Sequence, residues 1–169
     1  MARIYLIGSR GSGKTTVGRK LARALNFDFC DLDAYLCERE GCSIARIVER
    51  DGWQRFRELE SAALAEAGRK SETVLATGGG VILAPANRQF LLASGRVIWL
   101  RTSPAALTAR LSRDLDAAQR PALTTAGPLG EIAAVLAERE PLYRQACHHI
   151  VNGDEQPDAV CAAILACLK

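Results

Sequence analysis

A chain of 169 residues, 49% of them hydrophobic, is long enough to form one domain with a sizeable core, spanning residues 1–169. Its formal net charge is only +3, from 22 basic and 19 acidic residues, which is too small to indicate nucleic acid as a partner. No apolar run approaches the length of a membrane span and no signal peptide is visible, so we expect a cytoplasmic protein that does not bind a membrane.

Short apolar strands alternate with helices along the whole chain. The strands are predicted over residues 4–7, 27–30, 73–76, 96–100 and 149–151. The helices are predicted over residues 16–25, 34–39, 43–50, 53–67, 85–94, 104–111, 129–147 and 159–168, with Pro141 starting a new segment or kinking the old one. Residues 112–128 lose the periodicity and are expected to form a mobile loop long enough to be functional. The alternation predicts an α/β fold with three layers, α/β/α, around a central five-stranded parallel sheet.

A glycine-rich loop follows the first strand and precedes the first helix. Its sequence, Gly8-Ser9-Arg10-Gly11-Ser12-Gly13-Lys14-Thr15, fits the pattern G-x-x-x-x-G-K-[ST], which in this context predicts a phosphate loop for a nucleoside triphosphate. The glycines let backbone N–H groups point at phosphate oxygens, and the start of the helix adds a partial positive charge. Lys14 is expected to reach the β- and γ-phosphates, and the Thr15 hydroxyl to hold Mg²⁺. The predicted nucleotide-binding residues of this segment are Gly11, Ser12, Gly13, Lys14, Thr15 and Thr16.

Two aspartates end the second predicted strand. Asp31 and Asp33 are two residues apart, so both carboxylates can lean toward the same side. Beside Mg·ATP, one could hold the metal through its water shell and the other could face an acceptor hydroxyl. The alternative is that Asp33 merely caps the following helix. Because ligands of a parallel sheet gather at the carboxyl ends of its strands, we expect the aspartates and the phosphate loop to meet.

Three glycines, Gly78-Gly79-Gly80, follow the third predicted strand. Such a run costs conformational entropy unless something must approach the backbone closely; a flexible connection is the alternative. Two helical arginines, Arg57 and Arg139, are ambiguous by themselves, since most helical arginines are solvated surface residues. The residues alone therefore leave their roles open.

Six cysteines are scattered over apolar segments, and none forms the paired C-x-x-C spacing of a zinc or redox site. Free thiols of a reducing cytosol are the interpretation that this scatter favours. The run Cys147-His148-His149 leaves a metal site as an alternative. Adjacent residues on a strand point to opposite faces, which disfavours it.

From about residue 3 to its C-terminus the chain resembles the shikimate kinases, in the nucleoside-monophosphate-kinase-like group of P-loop NTPases. The motifs that carry the resemblance are the loop G-S-R-G-S-G-K-T-T, D-L-D at 31–33, F-R-E-L-E with Arg57, T-G-G-G at 77–80, Q-R-P-A-L with Arg120 and R-E-P-L-Y from Arg139. The loop is common to many kinases, whereas the other motifs in this order are specific. The resemblance implies transfer of the ATP γ-phosphate to the 3-hydroxyl of shikimate, in aromatic amino-acid (chorismate) biosynthesis, with Mg²⁺ as cofactor.

The resemblance also implies residue roles on the acceptor side. Arg57 and Arg139 would grip the shikimate carboxylate. Backbone of the glycine run, Gly78 to Gly80 and chiefly Gly79, would join them. Asp33 would bind the hydroxyl that is phosphorylated and act as the base. The substrate-binding helical region would span about 34–68.

On the nucleotide side, the resemblance implies a lid over about residues 112–124. Arg120 would move in with this lid to contact the transferring phosphate. Arg110 would lie near the adenine, and the turn ending at Pro157 would close around that base. Asp31 would join Thr15 at the metal.

Other functions share parts of this pattern. A gluconate-type or nucleotide kinase has the same phosphate loop and a lid. A nucleotide-binding module without turnover is a further alternative, against which Lys14, Asp33 and Arg120 argue together. The expected partners are shikimate and ATP alone, with the chain acting as a monomer.

Overall fold

The computed structural model describes residues 2–114 and 121–169, which include one sheet of five parallel strands. The strands are Arg3–Ile7 (β1), Asp28–Asp31 (β2), Thr73–Ala76 (β3), Arg96–Arg101 (β4) and His149–Asn152 (β5). Their order across the sheet is β2-β3-β1-β4-β5, and each neighbouring pair is parallel. The predicted five-stranded parallel sheet is confirmed.

Helices connect the strands. The described helices are Lys14–Leu25 (α1), Leu32–Glu40 (α2), Ile44–Ala67 (α3), Pro85–Ser94 (α4), Pro104–Arg113 (α5), Gly127–Gly130 (α6), Ile132–Gln145 (α7) and Pro157–Cys167 (α8), with a 3₁₀ turn at Val81–Leu83. In the part of the chain that the structure describes, none of these helices combines the length and apolarity needed to cross a bilayer.

The alternation of side chains in β1 shows how the layers form. Tyr5 and Ile7 join a buried cluster with α2, α3, α4 and α7 on one face of the sheet. Ile4 and Leu6 join a second cluster with α1 and α8 on the other face. All four side chains are at most 3% exposed, since both faces of the strand are covered. The three-layer prediction is therefore confirmed.

The boundaries of several elements differ from the sequence prediction. The two helices predicted on either side of residues 51–52 form the single element α3, but Gly52 has φ 81° and ψ 169°, so the backbone does break there. Helix α7 runs through Pro141 rather than starting anew at it. Helix α5 continues to Arg113, beyond its predicted end at residue 111, and α6 starts at Gly127, inside the predicted loop over 112–128.

The strand order explains where the polar stretches lie. The carboxyl ends of β2, β3 and β1 are neighbours at one edge of the sheet. Asp31 pairs in register with Ala76, and Leu6 pairs with Ala76 from the other side. The aspartates, the glycine run and the phosphate loop follow these three strands and therefore meet, as predicted.

Candidate active site

A cavity of about 410 Å³ opens at this edge of the sheet. Thirteen residues predicted to form the site line it: Gly11, Gly13, Lys14, Thr15, Thr16, Asp31, Asp33, Arg57, Gly78, Gly79, Gly80, Arg110 and Arg139. Ser12, at 2% exposed, is instead packed inside the loop, and Pro157 begins α8 without lining the cavity. The predicted Arg120 lies outside the described residues.

The phosphate loop is shaped by its glycines. Gly11 and Gly13 have φ of 82° and 91°, the left-handed region that a side chain disfavours. The Lys14 ammonium donates to the carbonyls of Gly8 at 2.7 Å and Ser9 at 2.8 Å and is 8% exposed. A positive charge is thus held within a ring of backbone at the start of α1, which is the arrangement that binds phosphate oxygens.

The Asp31 side chain, at the end of β2, accepts hydrogen bonds from the start of α2 and from Thr15 of α1. Its Oδ1 accepts hydrogen bonds from the backbone N–H groups of Asp33 at 3.1 Å and Ala34 at 3.2 Å, which caps α2. Its Oδ2 accepts from the Thr15 hydroxyl at 2.6 Å. The alternative that Asp33 is the cap is therefore wrong: Asp31 caps the helix, and the Asp33 side chain lines the cavity.

The glycine run is packed from three directions. A Cβ at Gly78 would collide with Glu60, and one at Gly80 would collide with the Arg57 guanidinium. At Gly79 it would lie 3.2 Å from the backbone nitrogen of Arg10. Close approach, rather than a flexible connection, explains the three glycines.

Arg57 lies at the wall of the cavity and is paired with a buried carboxylate. Its Nη1 donates to Glu60 Oε2 at 2.8 Å, and its side chain is 25% exposed. The guanidinium also lies over the rings of Trp53 and Phe56, with 5.5 and 5.1 Å from its central carbon to the ring centroids. The solvated-surface alternative for Arg57 is thus wrong.

Glu60 belongs to the site, although no role was predicted for it. It is 2% exposed, lines the cavity, and has one oxygen, Oε1, with no hydrogen-bond partner. Burial raises the pKa of Glu60, and the charge and hydrogen bond of Arg57 oppose that rise. Its spacing of three residues from Arg57 places both side chains on one helix face, but Arg55 and Glu58 share that spacing, so spacing alone does not single out Glu60.

Arg139, on α7, also lines the cavity, so it too is not a solvated surface residue. Four residues later on that helix, Tyr143 is fully buried and donates from its hydroxyl to the Gly79 carbonyl at 2.5 Å. Tyr143 is the last residue of the R-E-P-L-Y motif, but no role was predicted for its side chain. Helix α7 therefore contacts the glycine run as well as the cavity.

Arg110 connects the phosphate loop with the turn after β5. Its Nη2 donates to the Gly153 carbonyl at 2.7 Å, and its Nη1 donates to the Gly11 carbonyl at 3.4 Å. The turn that precedes Pro157 is thereby held beside the loop. Its contact with an adenine stays a prediction.

In the described part of the predicted lid, two backbone N–H groups are bound by a buried carboxylate. Glu131, 5% exposed, accepts hydrogen bonds from the backbone N–H groups of Leu123 at 3.0 Å and Thr124 at 2.7 Å. Pro121 and Leu123 line the cavity. Residues 115–120 of the predicted lid lie outside the described part of the chain.

The cysteines and histidines lie apart from this cavity. All six cysteines are free thiols. The Nδ1 atom of His148 accepts a hydrogen bond from the Val97 backbone N–H at 3.0 Å, so that nitrogen has a backbone partner already. Among the residues that the structure describes, no group of three histidine, cysteine or carboxylate side chains is arranged to hold a metal ion.

Comparisons with known proteins agree with this geometry. A family model described as Shikimate kinase matches residues 10–169. Shikimate kinase 2 of Yersinia pestis (strain Pestoides F) is 45% identical over 98% of this chain and 94% of its own length. A Shikimate kinase of Oleidesulfovibrio alaskensis is 47% identical over 99% and 98%.

Solved structures show the same relationship. A shikimate kinase from Acinetobacter baumannii, in complex with shikimate, has a TM-score of 0.92 and 36% identity, covering 99% of this chain and 93% of that one. A gluconokinase from Sinorhizobium meliloti, with a TM-score of 0.60 and 20% identity, covers 98% and 90% and shares the fold alone. From its sequence, its fold and the residues of its cavity, this chain belongs to the shikimate kinase family.

Proposed function

We propose that the chain transfers the γ-phosphate of ATP to the 3-hydroxyl of shikimate, giving shikimate 3-phosphate and ADP in chorismate biosynthesis. The observation that carries the proposal is one cavity lined both by the phosphate loop and by Arg57, Arg139 and Asp33. The loop offers a cradle for a nucleoside triphosphate, and the other three offer two cations and a carboxylate to an anionic alcohol. Phosphoryl transfer needs positioning and charge neutralisation above all, and a shared cavity supplies both.

Arg57 and Arg139 are proposed to bind the acid. A guanidinium presents five N–H donors in a planar fork that can hold two carboxylate oxygens at once, which an ammonium cannot do. The bond from Arg57 to Glu60 uses one of those nitrogens and fixes the fork at the cavity wall. Gly79 lines the same cavity as the two arginines and is proposed to contribute backbone groups.

Asp33 is proposed as the base that accepts the proton of the attacked hydroxyl. It sits in the first turn of α2, where Asp31 fixes its backbone N–H. A Cβ at Gly78 would lie 3.1 Å from Asp33 Oδ1, so the carboxylate is placed over the glycine run. A positioned base of this kind contributes about 10²–10⁴-fold to a rate.

On the nucleotide side, Lys14 and the loop N–H groups are proposed to neutralise the β- and γ-oxygens of ATP. Thr15 and Asp31 would hold Mg²⁺, which supplies further charge neutralisation when bound. Their side-chain oxygens meet at 2.6 Å beside the loop, and oxygen ligands of this type suit that ion. Arg120 is proposed to add a cation near the transferring phosphate, and Arg110 to lie near the adenine.

An acceptor panel tests the proposal. Purified protein is incubated with ATP, Mg²⁺ and shikimate, gluconate or a nucleoside monophosphate, and ADP release is followed while mass spectrometry identifies the product. We expect phosphorylation of shikimate alone, lost in Lys14→Ala and retained in Lys20→Ala, a control whose side chain is 42% exposed in a surface ion pair. Preference for gluconate or a nucleotide would overturn the acceptor, and ATP binding without turnover would favour a binding module. A cytoplasmic monomer stays the prediction, which sedimentation tests for the oligomeric state.

A further inference from the structure

The carboxylate of Glu131 binds the backbone of the segment that follows Arg120 in the sequence. Both of its oxygens accept a hydrogen bond from the Leu123 N–H, at 3.0 Å each, and Oε2 also accepts one from the Thr124 N–H at 2.7 Å. Glu131 is only 5% exposed, so these bonds form in a place that is largely closed to water. A carboxylate that accepts from backbone N–H groups forms charge-assisted bonds, which are roughly twice as strong as bonds between neutral groups. One side chain therefore fixes residues 123 and 124.

The backbone of Glu131 is itself fixed on both sides. Its N–H donates to the Gly127 carbonyl of α6 at 3.2 Å, and its carbonyl accepts from the Val135 N–H of α7 at 2.9 Å. Glu131 also directly precedes the first turn of α7, where the partial positive charge of a helix start favours a carboxylate. The carboxylate thus lies at the junction of two helices, and the hydrogen bonds of both helices keep it in place.

The residue that follows Glu131 connects this junction to the phosphate loop. Ile132 is 8% exposed and lies in a small hydrophobic cluster with Leu107 and the partly buried Leu111, both on α5. Leu111 in turn lies against the loop, since a Cβ added at Gly11 would be 3.1 Å from its Cγ. Closely packed side chains transmit small displacements. The position of Glu131 is therefore defined relative to the phosphate loop.

The segment that Glu131 binds forms part of the cavity wall. Pro121 and Leu123 line the same cavity as the phosphate loop. Proline has a fixed φ and no N–H group, which limits the freedom of the chain directly after Arg120. Only two residues separate Arg120 from the first N–H group that the Glu131 carboxylate binds. The chain is thus fixed close to the point where Arg120 joins it.

We propose that Glu131 is a positioning residue for the transfer step: it fixes residues 121–124 at the cavity wall and, through them, the point where Arg120 joins the wall. The inference rests on the proposed function, in which Arg120 adds a cation near the transferring phosphate. A misplacement of about 1 Å, caused by a mutation far from the reacting atoms, can cost about 100-fold in rate. Arg57 lies on α3 and Arg139 lies eight residues further along the chain, so binding of the acid should not depend on this carboxylate.

Steady-state kinetics of wild type, Glu131→Ala and Glu131→Gln tests the inference. We expect kcat to fall by about 10–100-fold in Glu131→Ala, with the KM for shikimate nearly unchanged. Glutamine keeps an acceptor oxygen without the charge, so Glu131→Gln should recover part of the lost kcat. An unchanged kcat in Glu131→Ala, or a rise in the KM for shikimate as large as the fall in kcat, would overturn the inference.

A double-mutant cycle with Arg120→Ala separates positioning from a general structural role. If Glu131 acts through Arg120, its replacement should have little further effect on the residual kcat of Arg120→Ala. A general defect of the fold would instead lower kcat by the same factor in both backgrounds, and that result would overturn the inference. Glu131→Gln completes the same cycle if Glu131→Ala does not fold.

Glu138→Ala is the matched control. It removes an exposed glutamate from the same helix, α7. It should leave kcat and both KM values unchanged in wild type and in Arg120→Ala. A loss of kcat in this control equal to that in Glu131→Ala would assign the effect to α7 as a whole and overturn the role of Glu131.

The two proposals fail in different ways. Wild type that phosphorylates shikimate, with a kcat that does not depend on Glu131, contradicts only the positioning role. Wild type that does not phosphorylate shikimate contradicts the proposed function and the positioning role with it.

Discussion

The two halves of the cavity are built in different ways. The half that we propose for the nucleotide (the nucleotide half) is one continuous segment, the loop and the start of α1, whose backbone groups would face the ligand. The half that we propose for the acid (the acid half) is assembled from side chains of α2, α3 and α7, which are far apart in the sequence, and from the glycine run. The loop can bind phosphate by its own geometry, whereas Arg57 depends on its hydrogen bond to Glu60 for its position. We therefore expect mutations to separate the two substrates.

The largest effect is expected for Arg120→Ala, because the predicted position of this residue is between the halves. A cation that acts where charge shifts during transfer should lower kcat by about 10³–10⁵ and leave both KM values nearly unchanged. Steady-state kinetics measures this. Arg113→Ala, which removes an exposed arginine of α5, is the control. A rise in the KM for shikimate alone would indicate that Arg120 binds the acid rather than the transferring phosphate.

Asp33→Asn should have the next largest effect. An amide cannot accept the proton, so kcat should fall by about 10²–10⁴ while ATP binding is retained. Asp28→Asn changes an exposed carboxylate of β2 in the same way and should leave kcat unchanged. Unaltered kcat in Asp33→Asn, with thermal unfolding like that of wild type, would exclude Asp33 as the base.

Arg57→Lys tests the independence of the halves most directly. Loss of a bidentate, charge-assisted contact, at about 1.5–3 kcal/mol, should raise the KM for shikimate by about 10–100-fold with little change in the KM for ATP. Arg55→Lys is a close control, since Arg55 makes the same i,i+3 ion pair, at 3.0 Å to Glu58, on the exposed side of α3. Equal changes in both KM values would contradict the separation of the halves.

The same difference between the halves explains what the sequence could predict. The loop is local: its glycines, Lys14 and the flanking strand and helix are contiguous, so a pattern of eight residues was enough. The meeting of the loop, the aspartates and the glycine run followed from the rule that ligands gather at the carboxyl ends of parallel strands. The order of the strands, which no local pattern contains, decided that these three segments are neighbours.

The residues that position the side chains of the acid half could not be predicted from a local sequence pattern. Glu60 has the ordinary appearance of a helical glutamate, and only its 2% exposure distinguishes it from its neighbour Glu58. Whether Asp31 or Asp33 caps α2 depends on a difference of two residues in where the helix begins, at Leu32 rather than at residue 34. Tertiary packing determines which glutamate is buried and which aspartate caps the helix, because it overrides local preference.

Glu60→Gln should have the smallest effect, on stability rather than on turnover. Burial holds the pKa of Glu60 above its unfolded value of about 4.3, so the folded state binds this proton more tightly than the unfolded state does. The contribution of Glu60 to the unfolding free energy is therefore constant below that value and falls as the pH rises toward the folded pKa. Glutamine does not titrate, so the variant should lose less stability than wild type as the pH rises above about 4.3.

Urea denaturation at a series of pH values measures this difference, with Glu58→Gln, 54% exposed, as the control that should follow wild type. The glutamine carbonyl can still accept the hydrogen bond from Arg57, so the KM for shikimate should rise less than in Arg57→Lys. Parallel pH curves for wild type and Glu60→Gln would show that Glu60 ionises in the folded state as it does in the unfolded chain. The Arg57–Glu60 pair would then be an ordinary ion pair, and the acid half would not depend on a buried carboxylate.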